Sequence, residues 1–197
     1  MKKIWELMKQ AGAYILALGA AALVAIKAIA AKKKQTQTTN NNTNTSTMKP
    51  TTNPAIQHNP LYDQKVRGYR NNNPLNLRIS KNKWVGKVPK EENTDGAFEQ
   101  FYYMPYGFRA ALINIRTVVN RGNDTIEKLI KVWAPDSDGN NSARYTKRVC
   151  NETGYNPTDK IVVTDPQMMQ HLAYAMSIVE NGSVPQWDDI RTGWELI

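Results

Sequence analysis

Residues 70–78 read RNNNPLNLR. Asparagine competes with helix and sheet by bonding its own backbone, and proline lacks an N–H, so this run forms neither a good helix nor a good strand. Asparagine amides donate and accept hydrogen bonds at once. Two roles stay open for the cluster. In one, Asn71, Asn72, Asn73 and Asn76 face a ligand covered in hydroxyl and acetamido groups, a sugar polymer. In that role Arg70 and Arg78 contact carboxylates or hold the loop by ion pairs. In the other, the asparagines satisfy the backbone of a structural loop.

Working outward, the chain after this loop reads as α+β and mostly helical. Residues 83–88 and 97–103 have the pattern of two short strands around a polar turn at 93–96. Residues 107–120 carry Phe108, Ala111, Leu112 and Ile115 at helical spacing. Asp124 with Glu127 resembles a capping box, opening a helix that ends at Trp133-Ala134-Pro135. Asn141 or Ser142 can cap a helix that stops near Gly154. Asp165-Pro166 starts a long helix that runs to Asn181-Gly182.

On that last helix, at 100° per residue, Met169, Leu172, Ala173, Met176 and Val179 share one face. Glu180 falls about 40° from Met176, inside the apolar stripe. A carboxyl there loses solvent and meets the negative end of the helix dipole, and both raise its pKa. An acid kept protonated near neutrality suits a proton donor. The alternative is a Glu180 that points outward from a frayed end or pairs with an arginine.

The N-terminal third has a different composition. Residues 11–31, AGAYILALGAAALVAIKAIAA, are nearly all apolar and long enough to span a bilayer at about 1.5 Å per residue. Lys27 sits near the end, where it can snorkel to the interface. A membrane anchor over 1–34 is the reading preferred to a cleaved signal peptide. Residues 35–60, rich in Thr and Asn, read as a disordered tether reaching on the order of 25–30 Å. Residues 61–197 form the folded domain.

The net charge is +9, but residues 1–59 carry eight lysines and one acid, which leaves the rest at +2. That argues against nucleic acid as a partner. One cysteine and two histidines exclude a disulfide framework and disfavour a structural zinc site, so no metal and no cofactor are expected. No Walker loop or Rossmann glycine pattern occurs. Aromatic residues suit sugar faces as well as a core.

Eight segments come in order: RGYRNNNPLNLR (67–78), W-x-G (84–86), DGAFEQF (95–101), GFRAA (107–111), TIEKLIKVWAP (125–135), DGNN-x3-Y (138–145), TGYNP (153–157) and ENG (180–182). Together they resemble the phage and prophage proteins called structural protein P5-like. That group is similar to lytic transglycosylases and muramidases of the lysozyme superfamily. The resemblance covers about residues 65–197. It implies a lysozyme-like domain that cuts the β-1,4 bond between N-acetylmuramic acid and N-acetylglucosamine in peptidoglycan. In the better-known transglycosylases the helix ending in Glu-Ser-Gly comes first and the asparagine-rich segment follows. Here the order is reversed, as in a circular permutation, so Glu180 is expected within reach of the 71–76 loop. Two departures stand out. Val179 precedes the glutamate, and no glutamate lies near Arg70.

The resemblance makes Glu180 the acid and Asp95, then Glu99, the candidate second carboxylate that a hydrolase needs. A transglycosylase, the class favoured here, needs none, because the muramyl 6-hydroxyl attacks. Trp84 and Tyr145 are expected to stack on sugar rings, and Arg109 and Trp133 to order the cleft from behind. The implied setting is a phage virion membrane or a bacterial envelope. Peptidoglycan is the expected partner, with other virion proteins as further ones. The alternative is a non-catalytic virion or wall-binding protein that keeps the fold.

Overall fold

A computed structural model describes residues 55–197. The candidate span at 11–31 and the tether up to residue 54 lie outside the described residues. Among the described residues no helix is long and apolar enough to cross a membrane.

Six helices account for most of the regular structure there: α1 (Arg67–Arg70), α2 (Met104–Asn120), α3 (Ile126–Trp133), α4 (Ser142–Thr153), α5 (Pro166–Asn181) and α6 (Trp187–Glu195). A short 3-10 turn, Asp136–Asp138, joins α3 to α4. The starts follow local chemistry. The Asn141 side chain accepts from the Arg144 N–H, and that of Asp165 accepts from those of Gln167 and Met168. Gly154 and Gly182 end α4 and α5 with φ of 78° and 72°, a conformation glycine adopts without strain. The cap expected at Asp124 is displaced by one residue, and no capping box forms. Thr125 caps α3, while Asp124 pairs with Lys128 and Lys160.

α5 is the central element, packing against α1, α2, α4 and α6. Its Met169, Leu172, Ala173 and Met176 meet Phe108, Leu112 and Ile115 of α2, Leu129 and Ile130 of α3, Val149 of α4 and Ile190 of α6 in one core. Fully burying a leucine or isoleucine contributes about 1.5–3 kcal/mol, so this cluster carries much of the stability. A smaller cluster of Leu77, Phe101 and Ala110 sits beneath Trp84, Tyr106 and Trp133.

The expected hairpin does not form extended strands. Isolated antiparallel bridges stand there instead, Arg78 with Phe98 and Lys87 with Phe101. A few backbone bonds join the two segments, from the Val88 N–H to the Gln100 carbonyl and from the Tyr102 N–H to that of Gly86, and side chains supplement them. Asn73 donates to the Leu77 and Glu99 carbonyls, and Asn72 to that of Phe101. Gly86, at φ 70°, turns the chain against Tyr106, whose ring would lie 2.0 Å from any Cβ there.

The folded part also starts earlier than residue 61. The Gln57 N–H donates to the Tyr102 carbonyl, and the Asn59 amide donates to Asp189. Helix α6 was not expected from the sequence. It is short, and Gly193 interrupts its apolar face where the helix meets α2; a Cβ there would lie 2.8 Å from the Phe108 Cβ.

Candidate active site

Glu180 stands on the last turn of α5, half-buried. Its Oε1 accepts from the Tyr145 hydroxyl at 2.9 Å, and its Oε2 accepts from the Asn76 amide at 2.9 Å. Tyr145 lies on the first turn of α4, which the Asn141 side chain caps. Burial and the neighbouring Glu180 charge push the Tyr145 hydroxyl well above its ordinary pKa, so it stays a donor. Asn76 holds φ 49°, a left-handed conformation that asparagine tolerates better than most residues.

The next residue completes the join. Asn181 donates to the Pro74 carbonyl at 2.7 Å and to the Ser177 carbonyl at 2.8 Å. Gly68 makes room for it, since a Cβ there would sit 2.1 Å from Asn181 Oδ1. Glu180 and Asn181 thus both grip the 74–76 loop, while Gly182 ends the helix.

Glu180 opens into a cleft of about 170 Å3 with Asn76, Arg67, Arg78, Phe98, Trp133, Asp138 and Asn140 on its walls. Two larger hollows, of about 540 and 550 Å3, lie along α4, and neither contains Glu180. The smaller cleft is the candidate because charge and amides converge there. The 550 Å3 groove shares Asn140 with it. Among the described residues no group of three or more metal-ligating side chains comes together.

No protein-family model matches the sequence. The chain is similar to Protein P5 of Pseudoalteromonas phage PM2, with 34% identity over 138 residues, 68% of this chain and 82% of that protein. The chain belongs to the P5 family of phage proteins.

Several residues of this P5-family chain stand elsewhere than their sequence context suggested. Asn71, Asn72 and Asn73 are at most 1% exposed and turn inward. Asn71 donates to Asp95 and accepts from Gln100; Asn72 and Asn73 hold backbone carbonyls. They build the loop and leave Asn76 to face the cleft. Arg70 is exposed and reaches the Lys65 carbonyl, outside the cleft, whereas Arg67 and Arg78 line it. Trp84 packs on the Leu77 cluster rather than in the cleft. Tyr145 is buried, so it serves through its hydroxyl and not as a stacking face. Trp133 lines the cleft, and Arg109, which does not, donates to the Leu196 carbonyl just beyond α6.

The expected second carboxylates are occupied too. Asp95 is not on the cleft wall. Burial pushes its carboxyl up, but the Asn71 amide, the Phe98 and Ala97 N–H groups and the Arg67 charge together hold it below its ordinary pKa. Glu99 is fully buried, with one oxygen on Lys87 at 2.8 Å and on Ser80. The acid that shares the cleft with Glu180 is Asp138. Asp138 and Arg67 both fall inside quoted segments, DGNN and RGYR. Only their partners across the fold distinguish them from Asp95 and Arg70.

Proposed function

We propose that this protein cuts the sugar strands of peptidoglycan, as a lytic transglycosylase with a lysozyme-like domain, and that Glu180 donates the proton. The observation that supports this most is the placing of Glu180. A helix-end carboxyl from residue 180 meets the 74–76 loop inside an open polar cleft, with a buried tyrosine behind it.

Glu180 protonates the glycosidic oxygen as the bond breaks, and the muramyl 6-hydroxyl closes on the anomeric carbon to leave an anhydro end, its proton returning to the Glu180 carboxylate. Asn76 suits both states of the acid. Its Nδ2 donates to the carboxylate, while its buried Oδ1 has no partner among the described residues. Turned by half a rotation, the amide presents Oδ1 to accept from the protonated carboxyl. A hydrolase would instead need a second carboxylate at about 5–5.5 Å or 6.5–9.5 Å from the first. Asp138 takes that role in place of Asp95.

The wider setting belongs to the same proposal: an anchor through residues 11–31 in a virion membrane or bacterial envelope, and action in phage entry or lysis. A second reading has an observation in its favour. Both oxygens of Glu180 already hold hydrogen bonds, as in a structural lock, which suits a wall-binding virion protein without chemistry.

The test is to mix the full chain with purified peptidoglycan and read the released fragments by mass spectrometry, beside Glu180→Gln. Anhydro-muramyl products that vanish in the variant, with binding kept, are expected. Reducing-end products would indicate a hydrolase and direct attention to Asp138→Asn. Binding without products from the wild type would support the second reading.

A further inference from the structure

We infer that Arg67 and Arg78 form a clamp for a carboxylate carried by the polymer that enters the cleft. The inference rests on the reading of that cleft as a sugar-polymer site, and it names the polymer as an acidic one. Both guanidinium groups lie against the Phe98 ring, at 3.9 Å and 5.4 Å from its centroid. Both line the cleft that holds Glu180 and Asn76. Both are exposed, and among the described residues neither has an acid within ion-pair distance. Asp95, the acid whose charge Arg67 feels, is already held by the Asn71 amide and two backbone N–H groups.

The backbone fixes where these two cations stand. Arg67 opens α1, and Arg78 bridges to Phe98 itself. A guanidinium is planar and weakly hydrated, so it can rest on an aromatic face while its edge N–H groups point into a site. Two such groups beside one ring repel each other, and an anion bound in the cleft that both line offsets that repulsion. A carboxylate matches them, because its two oxygens accept paired N–H bonds. A neutral polymer of N-acetylglucosamine offers no such group. Peptidoglycan offers two kinds, on the stem peptide and, once the peptide is removed, on the lactyl ether of muramic acid.

The experiment uses the full chain and three insoluble polymers: intact peptidoglycan, peptidoglycan stripped of its peptides, and chitin. Retention and fragment release are measured at low and high salt for the wild type, Arg67→Gln/Arg78→Gln, Arg67→Lys/Arg78→Lys and Arg121→Gln. Thermal unfolding confirms that each variant is folded. The wild type is expected to prefer the acidic polymers. The glutamine pair should bind them about tenfold to a hundredfold more weakly, the size of lost charge-assisted bonds. Its retention on chitin should not change. The lysine pair should recover part of the loss, and Arg121→Gln should match the wild type. A loss confined to intact peptidoglycan assigns the clamp to a peptide carboxylate; a loss on the stripped polymer assigns it to the lactyl group. Equal binding by the glutamine pair and the wild type overturns the clamp even if the wild type cleaves. Arginine-dependent retention without any fragments keeps the clamp and removes the proposed chemistry. A wild type that binds none of the three polymers removes both.

Discussion

At the scale of residues, the asparagine run separates into two kinds of position. Asn71, Asn72 and Asn73 knit 71–77 to 95–101, and Asn76 alone of the four meets Glu180. The spacing of the letters does not reveal this division, because each amide can donate and accept anywhere it is placed. Asp95 belongs to the structural half, and its pH behaviour tests that. Its folded pKa lies below its ordinary value of 3.8. The stability it contributes is therefore whole above 3.8 and is lost as pH falls through the lower folded value. Asp95→Asn should lower stability at neutral pH and flatten the acid side of the curve. Urea unfolding from pH 7 down to about pH 2 reads this out over the carboxylate range. An unchanged acid slope would remove Asp95 from the loop's supports.

At the scale of elements, caps and periodicity placed α2 to α5 within a few residues, since both act within one turn of helix. The hairpin and α6 were not legible for opposite reasons. The hairpin has strand-like letters, but its two segments share only a few backbone bonds, and asparagine side chains take the Glu99 and Phe101 carbonyls. Helix α6 has Trp187, Ile190 and Trp194 at helical spacing but runs only nine residues, and Gly193 on its buried face is what lets it approach α2. Gly107 presents the same conflict within α2. Helix propensity alone favours Gly107→Ala by about 1 kcal/mol. A Cβ there would lie 1.9 Å from the Asn72 carbonyl oxygen, which is backbone and cannot simply step aside. The expected outcome is a net loss of about 1–3 kcal/mol, seen as a lower urea midpoint. A gain would mean that the asparagine loop is not seated on α2.

At the scale of the whole described domain, the far end of the sequence closes the structure around its beginning. Asp189 of α6 accepts from Tyr62 and Asn59, and Ile190 is fully buried in the core. The Tyr62 ring packs, tilted by 33°, with its centroid 4.4 Å from that of Tyr69 of α1, whose hydroxyl donates to the Ser183 carbonyl. Removing residues 186–197 should therefore cost more than one helix. We expect loss of cooperative unfolding by circular dichroism, while Ile190→Ala, a cavity alone, should cost about 2–5 kcal/mol and keep the transition sharp. A truncated chain that still unfolds sharply would show that α6 is an accessory.

The sequence by itself determined the mostly helical class, the near-neutral balance of the region after residue 59, and the position of Glu180 on the last turn of α5. Those features arise from composition and from neighbours within one helical turn. The tertiary structure alone decided that Asn76 and not its three neighbours meets Glu180, across 104 residues of chain. It likewise decided that Arg67 rather than Arg70, and Asp138 rather than Asp95, line the cleft. Those choices depend on which side chains are left unpaired once the core has packed, and no local pattern encodes that.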